Sequence, residues 1–285
     1  MAVLEQPALP QRIRGTTHSV KSTLVMGILN VTPDSFSDGG RFFDPAAAVT
    51  QGIRLVEEGA DYLDVGGEST RPGSEPVSLE EELRRVIPVI RRLAQAVRTP
   101  LSVDTSKAEV ARQAIEAGAA LVNDVTALRG DPDMAGVLAR SDASVILMHM
   151  PGTPRTMQRQ PRYRHVVTDV RRFLQDAVHR AEKAGIARRR ILIDPGLGFG
   201  KTVAHNLALL RGLPELVRLG FPVVIGPSRK TFIGTTLDVG IEDRLVGTLA
   251  CVASAHQAGA SMVRVHDVKP AVQLLRMLRA IDQGK

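Results

Sequence analysis

The chain has 285 residues, 44% hydrophobic and 24% charged, a balance that describes one globular domain with ample core. No apolar run approaches the roughly 18 residues of a membrane helix, the N-terminus lacks the apolar stretch of a secretion signal, and the single Cys251 excludes an internal disulfide, so a cytoplasmic protein is expected. The 37 Lys and Arg exceed 30 Asp and Glu for a net charge of +7, but the arginine clusters spread over helix faces and aromatics are 3% without tryptophan, which argues against a nucleic-acid partner and suits an anionic small substrate.

Residues 1–23 form a polar N-terminal extension with room for a short hairpin, and residues 24–285 form one domain. Leu24 to Leu29 is an apolar run without alternation, which reads as a strand buried on both faces. It stops abruptly in the loop NVTPDSFSDGG. PAAAVTQGIRLVEEGA is helical by composition and closes at Gly59. After YLDVGG and the loop ESTRPGSEP, a longer helix is expected from Ser78, with Glu81 placed for a capping box. Leu79, Leu83, Val86, Ile87, Ile90 and Leu93 make its buried stripe, and Pro88 is expected to kink it.

LSVDTS, the helix KAEVARQAIEAGA, ALVNDVTA, a short helix near Asp133 to Arg140 and ASVILMHMPG come next. The stretch GTPRTMQRQPRYR is polar and proline-broken, and a mobile loop is expected there. A long helix follows from Val166 to Lys183. RILIDPGLGFGK, FPVVIGPSRK and MVRVHDV supply three more strand endings, with helices predicted over His205 to Leu219, Arg244 to Ala258 and Pro270 to Ile281. Eight strand-like runs alternating with helices predict an α/β fold, a (β/α)8 TIM barrel with a short N-terminal extension. A doubly wound open sheet is the competitor, but no clear GxGxxG opens a first helix.

Each apolar run delivers polar groups at its C-terminal end: Asn30; Asp64 and Glu68; Asp104; Asn123 and Asp124; His149; Asp194; Ser228, Arg229 and Lys230; Arg264, His266 and Asp267. In a barrel these ends converge on one rim, where such folds carry their active sites. Capping of the following helix is the competing use for any one of them. Asp104, Asn123 and Asp194 offer acceptors and one amide, a set that can read a flat heterocycle bearing several N–H donors. Lys230, Arg264 and His266, with the turn GPSRKTF opening a helix, make an anion site for phosphate or carboxylate. Asn30 and Asp34 supply oxygens suited to Mg²⁺, which takes one or two protein ligands beside substrate phosphate.

The order NVTPDSFSDGG, DVGGESTRPG, SVDTSK, VNDV, MHMPGTP, IDPGLGFGK, GPSRKTFIG and RVHDV resembles the successive motifs of the dihydropteroate synthase family, from Leu24 to Val268. The resemblance implies a pterin-binding TIM-barrel catalytic domain that condenses 6-hydroxymethyl-7,8-dihydropterin diphosphate with p-aminobenzoate, a reaction inhibited by sulfonamides. It implies a pterin site of Asp104, Asn123, Asp194 and Lys230, with Met148 and Phe199 nearby. Diphosphate would meet Asn30, Arg264 and His266, with Mg²⁺ on Asn30. Phe36, Thr70, Arg71 and Pro72 would surround p-aminobenzoate, with Thr231 standing where the family often has serine. Catalysis would rest on Asp34, Asp104 and Lys230, and a homodimer through the late helices is implied. A methyltetrahydrofolate–corrinoid methyltransferase or a catalytically silent pterin-binding homologue are the alternatives. They rank lower because the anion site and the NVTPDSF loop are both present.

Overall fold

The computed structural model describes residues 23–32, 44–69, 73–153, 155–158 and 161–284. Eight parallel strands form one sheet: β1 (Leu24–Asn30), β2 (Tyr62–Gly66), β3 (Leu101–Asp104), β4 (Ala119–Asp124), β5 (Ser144–Met148), β6 (Ile191–Asp194), β7 (Val224–Ile225) and β8 (Met262–Val265). Their order is β6-β5-β4-β3-β2-β1-β8-β7, and an isolated bridge from Ile193 to Val223 brings β6 against the start of β7. The sheet is therefore a TIM barrel, as the strand count predicts. All but Thr23 of the N-terminal extension lies outside the described residues.

The missing alternation in the strand sequences has a plain cause. Successive side chains point to opposite faces of a strand, and here both faces are apolar. Leu24, Met26, Tyr62, Leu121, Ile146, Leu192, Val224 and Met262 form a cluster of their own inside the barrel. Val25, Leu29, Leu63, Val65, Val103, Val122, Val145, Ile193 and Val263 join the shell between strands and helices. Extending the inward set by steps of two reaches Asn30, Asp64, Asn123, Met148, Asp194 and Arg264, and on β3 the step from the buried Ser102 reaches Asp104. The polar residues thus stand on an apolar plug.

The helices are α1 (Pro45–Glu57), α2 (Leu79–Ala96), α3 (Ala108–Glu116), α4 (Met134–Ala139), α5 (Val166–Lys183), α6 (Val203–Arg211), α7 (Leu213–Val217), α8 (Thr231–Leu237), α9 (Leu245–Gln257) and α10 (Val268–Gln283). Ser78 caps α2 by accepting the Glu81 N–H at 3.2 Å, but the Glu81 carboxylate binds Arg84 and Arg85, with no reciprocal bond back to the cap. α2 runs unbroken through Pro88. The single helix expected over His205 to Leu219 is two, parted at Gly212 with Pro214 opening the second. Proline favours a first turn because its missing N–H has no helical partner there. The same preference explains why α10 starts two residues before Pro270.

The stretch expected to be mobile is tied down where it is described. Gln158 Nε2 donates to the Gly198 carbonyl at 2.8 Å, Tyr163 donates its hydroxyl to the Gly200 carbonyl at 2.9 Å, and Met157 is buried. Among the described residues no helix is long and apolar enough to cross a membrane.

Candidate active site

The C-terminal rim is organised by a half-buried guanidinium. Arg264 donates from Nε to Asp64 Oδ2 at 2.6 Å and from Nη2 to Asp104 Oδ2 at 2.8 Å, spanning β8, β2 and β3. Asn123 Nδ2 donates to the same Asp64 oxygen at 3.0 Å. That bond engages one of the two amide N–H groups and leaves the Asn123 oxygen available as an acceptor. Burial would lower the Arg264 pKa, but Asp64 and Asp104 outweigh it and raise it, so the cation is permanent. Burial pushes Asp104 up to about 7; Arg264 pulls it down, while Asp64, Glu82 and Asp124 push it further up.

Across the barrel, Asp194 ends β6 and its Oδ1 accepts the Gly196 N–H at 2.6 Å. Gly196 has φ of 67°, and a Cβ there would lie 2.0 Å from the His149 carbonyl oxygen, so only glycine lets this turn close. Lys230 donates to the Leu197 carbonyl, and its ammonium stands 4.6 Å from the centre of the Phe199 ring. Burial lowers Lys230 to about 8; Asp194 opposes that shift and Arg264 adds to it. Burial likewise raises Asp194, with Lys230 opposing. Met148, Met150, Met157 and Val125 pack together with Phe199 against them, giving this side an apolar wall.

The residues expected to bind an anion stand after β7 and β8. Ser228 Oγ accepts the His266 backbone N–H at 3.1 Å and lies 2.9 Å from its Nδ1. Arg229 forks onto Asp267 at 3.0 and 2.6 Å. Thr231 is the first residue of α8 and is exposed, and Asn30 ends β1 half-buried. Arg264, expected to meet diphosphate together with Asn30 and His266, pairs here with the carboxylates of β2 and β3.

Asp34, Phe36, Thr70, Arg71 and Pro72 lie outside the described residues. Three other rim candidates prove to be structural. Asp124 points outward and accepts from Thr126 N, Thr126 Oγ1 and Leu128 N at 2.8, 2.6 and 2.7 Å, holding Ala127 and Leu128 at φ of 53° and 63°. His149 faces the helices, with its ring edge-on to Phe173 at 4.7 Å. Lys201 Nζ lies 2.9 Å from its Nδ1, and burial, with Lys201 adding, pushes the imidazole down to about 2. Glu68 pairs with Lys107, which also pairs with the buried Glu82. Asp64, the partner of Arg264, is among the strand endings read from the sequence, but no role in the pterin or anion set was assigned to it. Its signal was present, since a carboxylate inside YLDVG and a guanidinium inside MVRV each require a buried counter-charge.

A family model described as pterin binding enzyme matches residues 26–266. A dihydropteroate synthase from Synechocystis is 48% identical over 262 residues, covering 92% of this chain and 91% of its own. The structure of a Xanthomonas albilineans dihydropteroate synthase with 4-aminobenzoic acid superposes with a TM-score of 0.87 at 52% identity, covering 92% of this chain and 94% of that one. A dihydropteroate synthase from the same organism, in complex with 7,8-dihydropteroate, gives a TM-score of 0.84 at 48% identity, covering 95% and 97%.

Proposed function

The chain belongs to the pterin-binding enzyme family, among its dihydropteroate synthases, and from that premise we propose how its own residues perform the reaction. It is a transferase that condenses 6-hydroxymethyl-7,8-dihydropterin diphosphate with p-aminobenzoate, giving 7,8-dihydropteroate and diphosphate. The observation that carries the residue assignment is the buried acceptor set. Asn123, Asp104 and Asp194 stand buried at the ends of β4, β3 and β6, and the Arg264 clamp, through Asp64, fixes the first two relative to each other. A pterin presents its amino and ring N–H groups to such a set, and an analogue without them would leave buried acceptors unpaired. Met148 and Phe199 cover the ring faces, and Lys230 approaches from the rim.

In the reaction the bond from the pterin methylene carbon to the diphosphate oxygen breaks, and the oxygen keeps the electron pair. His266 and the turn from Ser228 to Lys230 receive that charge. The methylene cation is stabilised by Asp104, with Asp34 assigned the same task. The aniline nitrogen of p-aminobenzoate then forms the new C–N bond and releases a proton, so no protein nucleophile is needed. Phe36, Thr70, Arg71, Pro72 and Thr231 are assigned to the benzoate.

Asn30 fits a Mg²⁺ ligand: among the described residues its side chain makes no hydrogen bond, and the residue ends β1 at the C-terminal rim. Bound through Asn30 and the diphosphate, Mg²⁺ would share the leaving group's negative charge. A homodimer and a cytoplasmic location complete the reading. Exposed Val246 on α9 and Met277 and Ile281 on α10 support the first, and the unpaired Cys251 supports the second.

The deciding experiment measures diphosphate release with the pterin diphosphate and Mg²⁺, with and without p-aminobenzoate. Release that depends on the benzoate and yields dihydropteroate is expected. Tight pterin binding without product would replace this reading with a silent or methyl-transferring homologue.

A further inference from the structure

Ser228 and His266 sit on neighbouring turns, and their hydrogen bonds can be counted atom by atom. The Ser228 oxygen already accepts the His266 backbone N–H at 3.1 Å, and its second contact, 2.9 Å away, is His266 Nδ1. A serine hydroxyl has a single hydrogen to donate. Among the described residues that hydrogen has one acceptor, Nδ1, since the Ser228 side chain makes no other bond. Were Nδ1 to carry the proton, Ser228 would hold two donors while its own hydrogen went unpaired at a buried position. Leaving a buried donor unpaired is the more costly arrangement.

We propose that Ser228 is a positioning residue that holds His266 as the Nε2–H tautomer, so that the ring presents an N–H rather than a lone pair to the departing diphosphate. The inference rests on the anion site proposed above. The bond made by one ring nitrogen sets the state of the other, and here the two turns are locked together independently of that bond. Arg229 forks onto Asp267. The Arg229 backbone, at φ of 54°, donates its N–H to Thr248 Oγ1 at 3.0 Å and accepts from Arg244 Nη1 at 3.0 Å. Ser228 and His266, each one residue before a member of that pair, are thereby held in fixed register.

The test uses the full-length protein labelled with ¹⁵N in its histidine rings, titrated with inorganic diphosphate and Mg²⁺, as wild type, Ser228→Ala, Ser228→Thr and His266→Ala. The wild-type His266 spectrum should show a proton on Nε2 and none on Nδ1. Ser228→Ala should mix the tautomers, weaken diphosphate binding about tenfold and lower kcat by a similar factor, with KM for p-aminobenzoate unchanged. Ser228→Thr keeps the hydroxyl and should restore all three within about threefold. A wild-type proton on Nδ1 would overturn the proposal, as would a Ser228→Ala ring that stays Nε2–H. If His266→Ala binds diphosphate as tightly as wild type, the anion-site assignment itself falls. Loss of affinity in His266→Ala with none in Ser228→Ala sinks only the role of Ser228.

Discussion

Asp104 and Lys230 are displaced in opposite directions by burial, the acid up to about 7 and the amine down to about 8. The proposed mechanism requires Asp104 ionised to meet the cation and Lys230 charged beside Asp194. kcat/KM should therefore trace a narrow bell, falling below about pH 7 and above about pH 8. Asp104→Asn should abolish the acid limb, and Asp104→Asn and Lys230→Ala should each cut turnover about a hundredfold or more with the fold retained, as judged by circular dichroism. A wild-type profile flat from pH 6 to 9 would remove both groups from the chemistry. The same shifts act on stability with definite signs. The raised Asp104 favours folding fully below about pH 4, a contribution lost as pH rises through about 7. The depressed Lys230 favours folding above about pH 10, a contribution lost as pH falls through about 8. The charged pair that the chemistry needs is thus the one that stability favours least. At this scale the sequence reads well for residue type: Asp104, Asn123, Asp194 and Arg264 all stood out as polar groups in apolar strands. It could not tell that Arg264 turns to Asp64 and Asp104, because that choice is made across 200 residues of chain.

Between elements, the cluster of Lys107 with Glu68 and Glu82 joins the start of α3 to the loop after β2 and to α2. Glu82 is 1% exposed, so its charge relies on Lys107. Lys107→Met should destabilise the protein by about 3 kcal/mol, because it strands a buried carboxylate, and Glu82→Gln added to it should recover part of the loss. Urea unfolding of the single and double variants decides this; an additive double variant would mean that the pair is not coupled. A neighbouring tie, from Arg85 Nη1 to the Gly67 carbonyl at 2.8 Å, fastens the same loop base. The start of α2 was legible because its cap, Ser78, is local. Helix limits were misread at Gly212, where glycine followed by proline within the helical pattern parted α6 from α7.

For the whole molecule, eight strand endings were enough to identify the barrel, because each inward position is fixed by a period of two once the outward ones are claimed by helices. Loop conformation was not legible, since polar turns carry no such periodicity. Assembly belongs to this scale as well. If α9 and α10 form the dimer face, Val246→Lys with Met277→Lys should convert a dimer to a monomer in sedimentation, and a dimer that persists would locate the interface elsewhere. The barrel also has a seam. β1 and β8 join over four register pairs, from Leu24 with Met262 to Gly27 with Val265, whereas β6 meets β7 through one bridge, beside the bond from Ile193 N to the Pro222 carbonyl at 3.0 Å. A wall with so few main-chain bonds is where the cylinder breathes. In heavy water the Ile193 amide should lose its protium well before those of Leu63 and Val65 at the centre of the sheet. Asp194 is the next residue along, so an opening of this seam would border the acceptors proposed for the pterin, and its rate would set how quickly a bound ring can leave.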